Sequence, residues 1–177
     1  NWMKKSKFGA FLNEWGRVLA TYGSAVVKFV EKDGELHSEV IPWNRLIADA
    51  VDFENNPKIE KFYFTPAQLR QNEAYDQDQV EFLISNQKIS RKNWGGQQKD
   101  NKSDFIEVYE IHGNLPLSYL TEKEEDEKTY QQQMHAVSFI GTRGKYQDYA
   151  LYSGKEKQDP YLITHLIKED GRSQAIG

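Results

Sequence analysis

Residues 8–42, FGAFLNEWGRVLATYGSAVVKFVEKDGELHSEVIP, set the fold, because helix, turn and hairpin signals follow one another there without a gap. Apolar residues recur at Phe8, Phe11, Leu12, Trp15, Val18, Leu19 and Tyr22. This three-and-four spacing places them on one stripe of an amphipathic, buried helix. Gly23 follows the stripe, where a left-handed cap is wanted and a residue without a Cβ adopts it at least cost. Residues 25–32 are then rich in β-branched and aromatic side chains, Asp33-Gly34 suits a two-residue type I′ turn, and residues 35–41 run back. A two-residue turn fixes the register, so Lys28 is expected opposite Glu39, Val27 opposite Val40 and Val26 opposite Ile41. Pro42 ends the return strand.

Before this stretch, Lys4, Lys5 and Lys7 surround Trp2 and Met3 at a basic helix end, read as a solvated face. After it, residues 43–53 are too short and mixed to separate strand from helix. Residues 58–64 alternate Ile59, Lys61, Tyr63 against Glu60, Phe62, Phe64 and read as a strand. Thr65-Pro66-Ala67-Gln68 sets out an N-cap, a first-turn proline and a capping-box partner, so a helix starts there. A further helical segment over residues 77–85 places Val80, Leu83 and Ile84 on one face. Residues 86–104, with Gly95-Gly96 beside Trp94, read as a mobile loop. Residues 105–112 form a strand that Gly113 is expected to end, and an irregular apolar piece and the acidic run 122–127 follow. Strands over 130–140, 149–152 and 161–167, with turns at Ser153-Gly154 and Asp159-Pro160, make the second half mainly β. The class that results is α+β: an N-terminal amphipathic helix packed on mainly antiparallel sheet, with a helical insertion near residues 65–85 and a β-rich second half.

The chain has 177 residues, the size of one domain. Its mean hydropathy of -0.81 is polar for a globular protein. A net charge of -4 gives no general attraction to nucleic acid or to anionic membranes, so any contact with DNA is local. With no cysteine there is no disulfide and no thiolate metal site. No run of about 18 apolar residues occurs to span a bilayer. The chain opens on Asn1 and ends on Ala175-Ile176-Gly177, and the expectation is a piece of a longer protein.

Few residues ask for chemistry. Asp49, Asp52 and Glu54 supply hard oxygen ligands, but their spacing fits an acidic turn better than a metal loop. His37, His112, His135 and His165 each lie in or beside an expected strand, and no pair has the four-residue spacing of a helical zinc site. Gly141-Thr142-Arg143-Gly144 lacks the lysine and the strand-to-helix setting of a phosphate loop, and no serine sits in a nucleophile elbow. The reading is therefore a non-enzyme with no catalytic residue, no metal and no cofactor. Lys88, Arg91 and Lys92 with Trp94 form the candidate contact to DNA or a partner, since cations grip phosphates while an indole stacks. Asp100 and Asp104 dilute that patch, and a plain soluble loop with no ligand is the favoured reading.

The order of the pieces resembles the portal protein of tailed bacteriophages and prophages, in its wing region. Residues 15–30 carry Tyr22-Gly23 before the first strand, the return strand closes on Ile41-Pro42-Trp43, and residues 62–71 contain Thr65-Pro66-Ala67-Gln68-Leu69. Residues 108–116 (VYEIHGNLP), Leu151-Tyr152-Ser153-Gly154-Lys155, Asp159-Pro160-Tyr161 and residues 171–177 complete it. The resemblance spreads over nearly the whole chain, while each piece alone is weak. It implies one wing domain over residues 1–177, without stem or clip, and a structural role in a ring of usually twelve subunits around a DNA channel. Implied partners are other copies of the chain, terminase, capsid and head–tail adaptor proteins, and transiently double-stranded DNA. No membrane is involved, and the implied location is the portal vertex of the virion, with the host cytoplasm during assembly. Contacts are expected through aromatics such as Trp94, Tyr119, Tyr146 and Tyr149. Two other classes compete: a metal-dependent hydrolase or nuclease using Asp49, Asp52, Glu54 and histidines, and a generic protein-binding module suggested by the tyrosine-rich second half.

Overall fold

Helix α1 (Phe8–Tyr22) stops at Gly23, which takes φ 73° and donates its N–H to the Leu19 carbonyl at 2.9 Å. This is the left-handed cap that the sequence calls for. The computed structural model describes residues 7–32, 34–49, 51–93, 105–142 and 145–167. From Gly23 the chain enters β1 (Ser24–Lys32), and β2 (Glu35–Ile41) returns along it with Lys28 opposite Glu39, Val27 opposite Val40 and Val26 opposite Ile41. The expected register is therefore observed. Asp33 lies outside the described residues, and Gly34 holds the φ of 73° that the turn requires.

A single 3-10 turn, Trp43–Arg45, leads to β3 (Leu46–Ile47) and β4 (Lys58–Phe64). Helices α2 (Pro66–Gln71) and α3 (Gln77–Asn93) precede β5 (Ile106–Pro116) and the short α4 (Ser118–Thr121). The chain then forms β6 (Tyr130–Thr142), β7 (Lys145–Lys155) and β8 (Tyr161–His165). Two antiparallel sheets result, a three-stranded one in the order β2-β1-β8 and a five-stranded one in the order β3-β4-β5-β6-β7. The fold is α+β, as the sequence implies.

Strand alternation sorts the side chains into layers. Ala25 and Val40 face α1 and bury Val18 and Leu19, while Val26 and Ile41 face the other way and pack with Phe53 and Tyr161. The larger core lies between α2, α3 and the inner face of the five-stranded sheet, where Leu69, Val80, Leu83 and Ile84 meet Ile106, Val108, Ala136 and Leu151. At the start of α2, Thr65 accepts from the Gln68 N–H while the Gln68 side chain accepts from the Thr65 N–H, the expected capping box.

The structure corrects several expectations. Stripe residues Leu12 and Tyr22 of α1 are 44% and 56% exposed, because one helix crosses only part of the three-stranded sheet. Helix α3 continues to Asn93 instead of ending at Ser85, so residues 86–93 of the expected loop are helical, and residues 94–104 lie outside the described residues. Strand β5 passes through Gly113 to Pro116. That glycine marks a close crossing rather than a stop: at its φ of +155° a Cβ would stand 2.7 Å from the Pro57 Cα. Likewise β7 is longer than residues 149–152 and runs through Ser153-Gly154 without turning.

Candidate functional site

The densest polar arrangement lies between the two sheets. On β1, Lys28 shares the inner face with Val26, and its ammonium donates to Glu60 on β4 at 3.1 Å and to Glu110 on β5 at 2.9 Å. Glu60, fully buried, also accepts from Arg45 at 2.5 Å and from the Tyr161 hydroxyl at 2.9 Å. Arg45 extends the chain of charges to Glu39 of β2 at 3.3 Å. Below this group Lys58 pairs with Asp159, donates to the Glu54 carbonyl at 3.2 Å and stands 4.9 Å over the Phe53 ring. His112 of β5 contacts the Glu156 carboxylate through Nδ1 at 3.0 Å, and its Nε2 lies 3.6 Å from Glu110, too long for a hydrogen bond but close enough for charge attraction.

The electrostatics follow from this geometry. Burial opposes charge on Lys28, yet the Glu110 and Glu60 carboxylates outweigh it and hold the ammonium above its ordinary value. Burial also opposes ionisation of Glu110, but His112 and Lys28 bring its carboxyl down to about 2. For His112 the same contest, burial against the Glu110 and Glu156 carboxylates, ends with the imidazole raised. Tyr161 and Tyr75 are both pushed well up, first by burial and then by the neighbouring carboxylates. They remain phenols that donate, and neither serves as a base. Each charge in the cluster has an opposite partner, so it functions as a clasp that joins the sheets through side chains.

The sequence-derived candidates fall elsewhere. Lys88, Arg91 and Lys92 occupy the last turns of α3, where three-and-four spacing puts the positions on one stripe. Trp94 lies outside the described residues. Asp49 accepts from the backbone N–H groups of Val51 and Asp52, and Asp52 accepts from the backbone and side chain of Asn55, so both carboxylates close an acidic turn. Among the described residues no group of three histidines or carboxylates is placed to hold a metal ion. His135 contacts Gln133 through Nε2 at 2.8 Å and Ser153 through Nδ1 at 2.9 Å, and burial lowers its pKa, so it packs as a neutral ring.

Of the expected contact aromatics, Tyr149 is a correction. It is 2% exposed and packs in the larger core, where its hydroxyl accepts from the Asn86 amide at 2.8 Å. Tyr119 is exposed and meets the His135 ring edge-on. The Tyr146 side chain lies outside what the structure describes. A groove of about 540 Å³ runs between α1 and the 3-10 turn, lined by Glu14, Arg17, Tyr22 and Trp43 among others. No described helix is long and apolar enough to cross a membrane. No protein-family model matches the chain, and no curated protein matches it with significant similarity.

Proposed function

We propose that this chain is the wing of a phage portal, a structural part of the head–tail connector ring through which double-stranded DNA is packaged and ejected. One observation carries the reading: Lys28, Glu110, Asp159 and Tyr161, from three separate portal-like pieces, meet at the junction of the two sheets, where Glu60 and Lys58 from outside those pieces hold them. Asp159 pairs with Lys58, and Tyr161 donates to Glu60. Gly113 lets β5 cross against Pro57, and Ile41 and Trp43 belong to the core between the sheets. A wing needs a stiff body, and a doubly layered β unit clasped by buried ion pairs supplies one. The net charge of -4 suits a channel protein past which DNA must slide without being held.

In this reading the partners are neighbouring copies of the chain, terminase, capsid and adaptor proteins, and the location is the portal vertex. Native mass spectrometry of the protein expressed from its uninterrupted gene tests it. A single large species with the mass of a closed ring of about twelve copies, as in oligomers with cyclic symmetry, is the expected outcome. A protein that stays monomeric or dimeric at every concentration overturns the reading.

A further inference from the structure

Two stretches of chain cross between the sheets. Residues 42–45 lead from β2 to β3, and residues 156–160 lead from β7 to β8. Each crossing is tied to the five-stranded sheet by charge. Arg45 of the first reaches Glu60. In the second, Asp159 pairs with Lys58, and Glu156 reaches His112, whose Nδ1 lies 3.0 Å and 3.2 Å from the two carboxylate oxygens. Arginine and lysine keep their charge through the physiological range, whereas an imidazole titrates within it. Of these ties, the one between His112 and Glu156 is the one that a proton can switch near neutral pH.

The surroundings of His112 favour its charged form. The ring is 3% exposed, stands edge-on to Tyr161, and has Glu156 at Nδ1 and Glu110 beyond Nε2. Nε2 is buried without a hydrogen-bond partner among the described residues, 3.6 Å from Glu110. In a neutral ring that donates from Nδ1, a lone pair faces a carboxylate there, and a proton turns the same contact into an attraction. Lys28 on β1 and Lys58, opposite His112 on β4, repel the imidazolium, but both are engaged by carboxylates. Across the cluster the carboxylates Glu60, Glu110, Glu156 and Asp159 face the permanent cations Lys28, Arg45 and Lys58, and β6 contributes the uncharged Gln132 and Met134. Glu39, the far partner of Arg45, stands in water. A charged His112 therefore balances the buried group, which an unpaired carboxylate would destabilise.

We propose that His112 is a proton-operated latch on the β7–β8 crossing: the imidazolium holds Glu156 against β5, and loss of its proton lets Glu156 swing into water and loosens residues 156–158. The neutral ring still donates from Nδ1, but a bond from an uncharged donor is about half as strong as a charge-assisted one. Glu156 is the partner that leaves, because its side chain is 21% exposed and is otherwise held by the Gln132 amide at 2.9 Å. Glu110 stays, held by Lys28 and the Tyr75 hydroxyl. The sheets remain joined through Lys28, Arg45 and Lys58, so the change is confined to one crossing. The latch is independent of the portal reading.

An NMR titration of the four histidines in the full-length protein, each ring assigned through its own backbone resonances, tests the protonation. His112 is expected to titrate above 6.5, and Glu156→Gln to lower it by about one unit, a tenfold loss of proton affinity. Amide hydrogen exchange, corrected for the intrinsic pH dependence of exchange, tests the release. The Glu156 N–H donates to the Gln132 carbonyl at 3.0 Å, and its protection is expected to fall roughly tenfold as His112 loses its proton. The Tyr161 N–H, which donates to Asp159, and the amides in the middle of β6 are expected to keep theirs. In Glu156→Gln the pH dependence at residue 156 is expected to disappear. A His112 that titrates at or below 6.5 overturns the proposal, and so does protection at Glu156 that ignores the His112 titration or that still follows it in Glu156→Gln.

Discussion

Replacing Lys28 by methionine separates the clasp from ordinary packing, because methionine keeps most of the aliphatic stem and loses only the ammonium. That ammonium lies 3.1 Å from Glu60 and 2.9 Å from Glu110, both in buried or nearly buried positions. Removing one partner of a buried pair costs about 3–5 kcal/mol when the other charge is left uncompensated. Glu60 retains Arg45 and the Tyr161 hydroxyl, and Glu110 retains His112 and the Tyr75 hydroxyl, so neither carboxylate is left bare and the low end, about 3 kcal/mol, applies. For a chain of this size that lowers Tm by roughly 6–12 °C. Urea unfolding at pH 7, followed by tryptophan fluorescence, reads the change as a shift in midpoint at constant slope. Adding Glu110→Gln to Lys28→Met should recover about 1–2 kcal/mol, since the neutral amide no longer needs the cation. A Lys28→Met variant within about 0.5 kcal/mol of the parent, the ordinary range for surface substitutions, refutes the clasp.

The same cluster sets a pH dependence. Glu110 is depressed from 4.5 to about 2, so its stabilising contribution is present above pH 4.5 and is lost as pH falls toward 2. His112 is raised above 6.5, so its contribution is complete below pH 6.5 and is lost as pH rises through the folded value. The urea midpoint should show both limbs, and His112→Asn should flatten only the upper one; an upper limb unchanged in that variant contradicts the assignment. Gly113→Ala places a Cβ against Pro57 and should cost roughly 1–3 kcal/mol, measured by the same unfolding curves. Thr65→Ala removes the α2 cap and should cost about 1 kcal/mol, whereas Thr65→Ser should cost little.

What the sequence made legible was local. The first hairpin was readable because its turn, its register and its cross-strand chemistry lie within twenty residues and agree with one another. The capping box at Thr65 was readable for the same reason. The clasp was not, because Lys28 stands in one sheet and Glu60 and Glu110 in the other, and nothing local shows which faces of two separate sheets pack together. A signal was present in the alternation: Glu60 shares a strand face with Phe62 and Phe64, and Glu110 shares one with Ile106 and Val108. A charge on an otherwise apolar strand face is a candidate for burial with a partner. The end of α3 is not legible because residues 86–93 lack apolar periodicity, although Gln, Lys and Arg are good helix formers and extend a helix already anchored by Val80, Leu83 and Ile84. The full length of β5 is not legible because a glycine in a strand pattern signals a stop as readily as the close approach it serves here.

The central claim is that this clasped β body belongs to a ring around DNA, and negative-stain electron microscopy of the protein expressed from its uninterrupted gene addresses it most directly. The account predicts closed rings with rotational symmetry and a central channel wide enough for duplex DNA. Discrete small particles with no channel, across a range of salt and protein concentration, would contradict it.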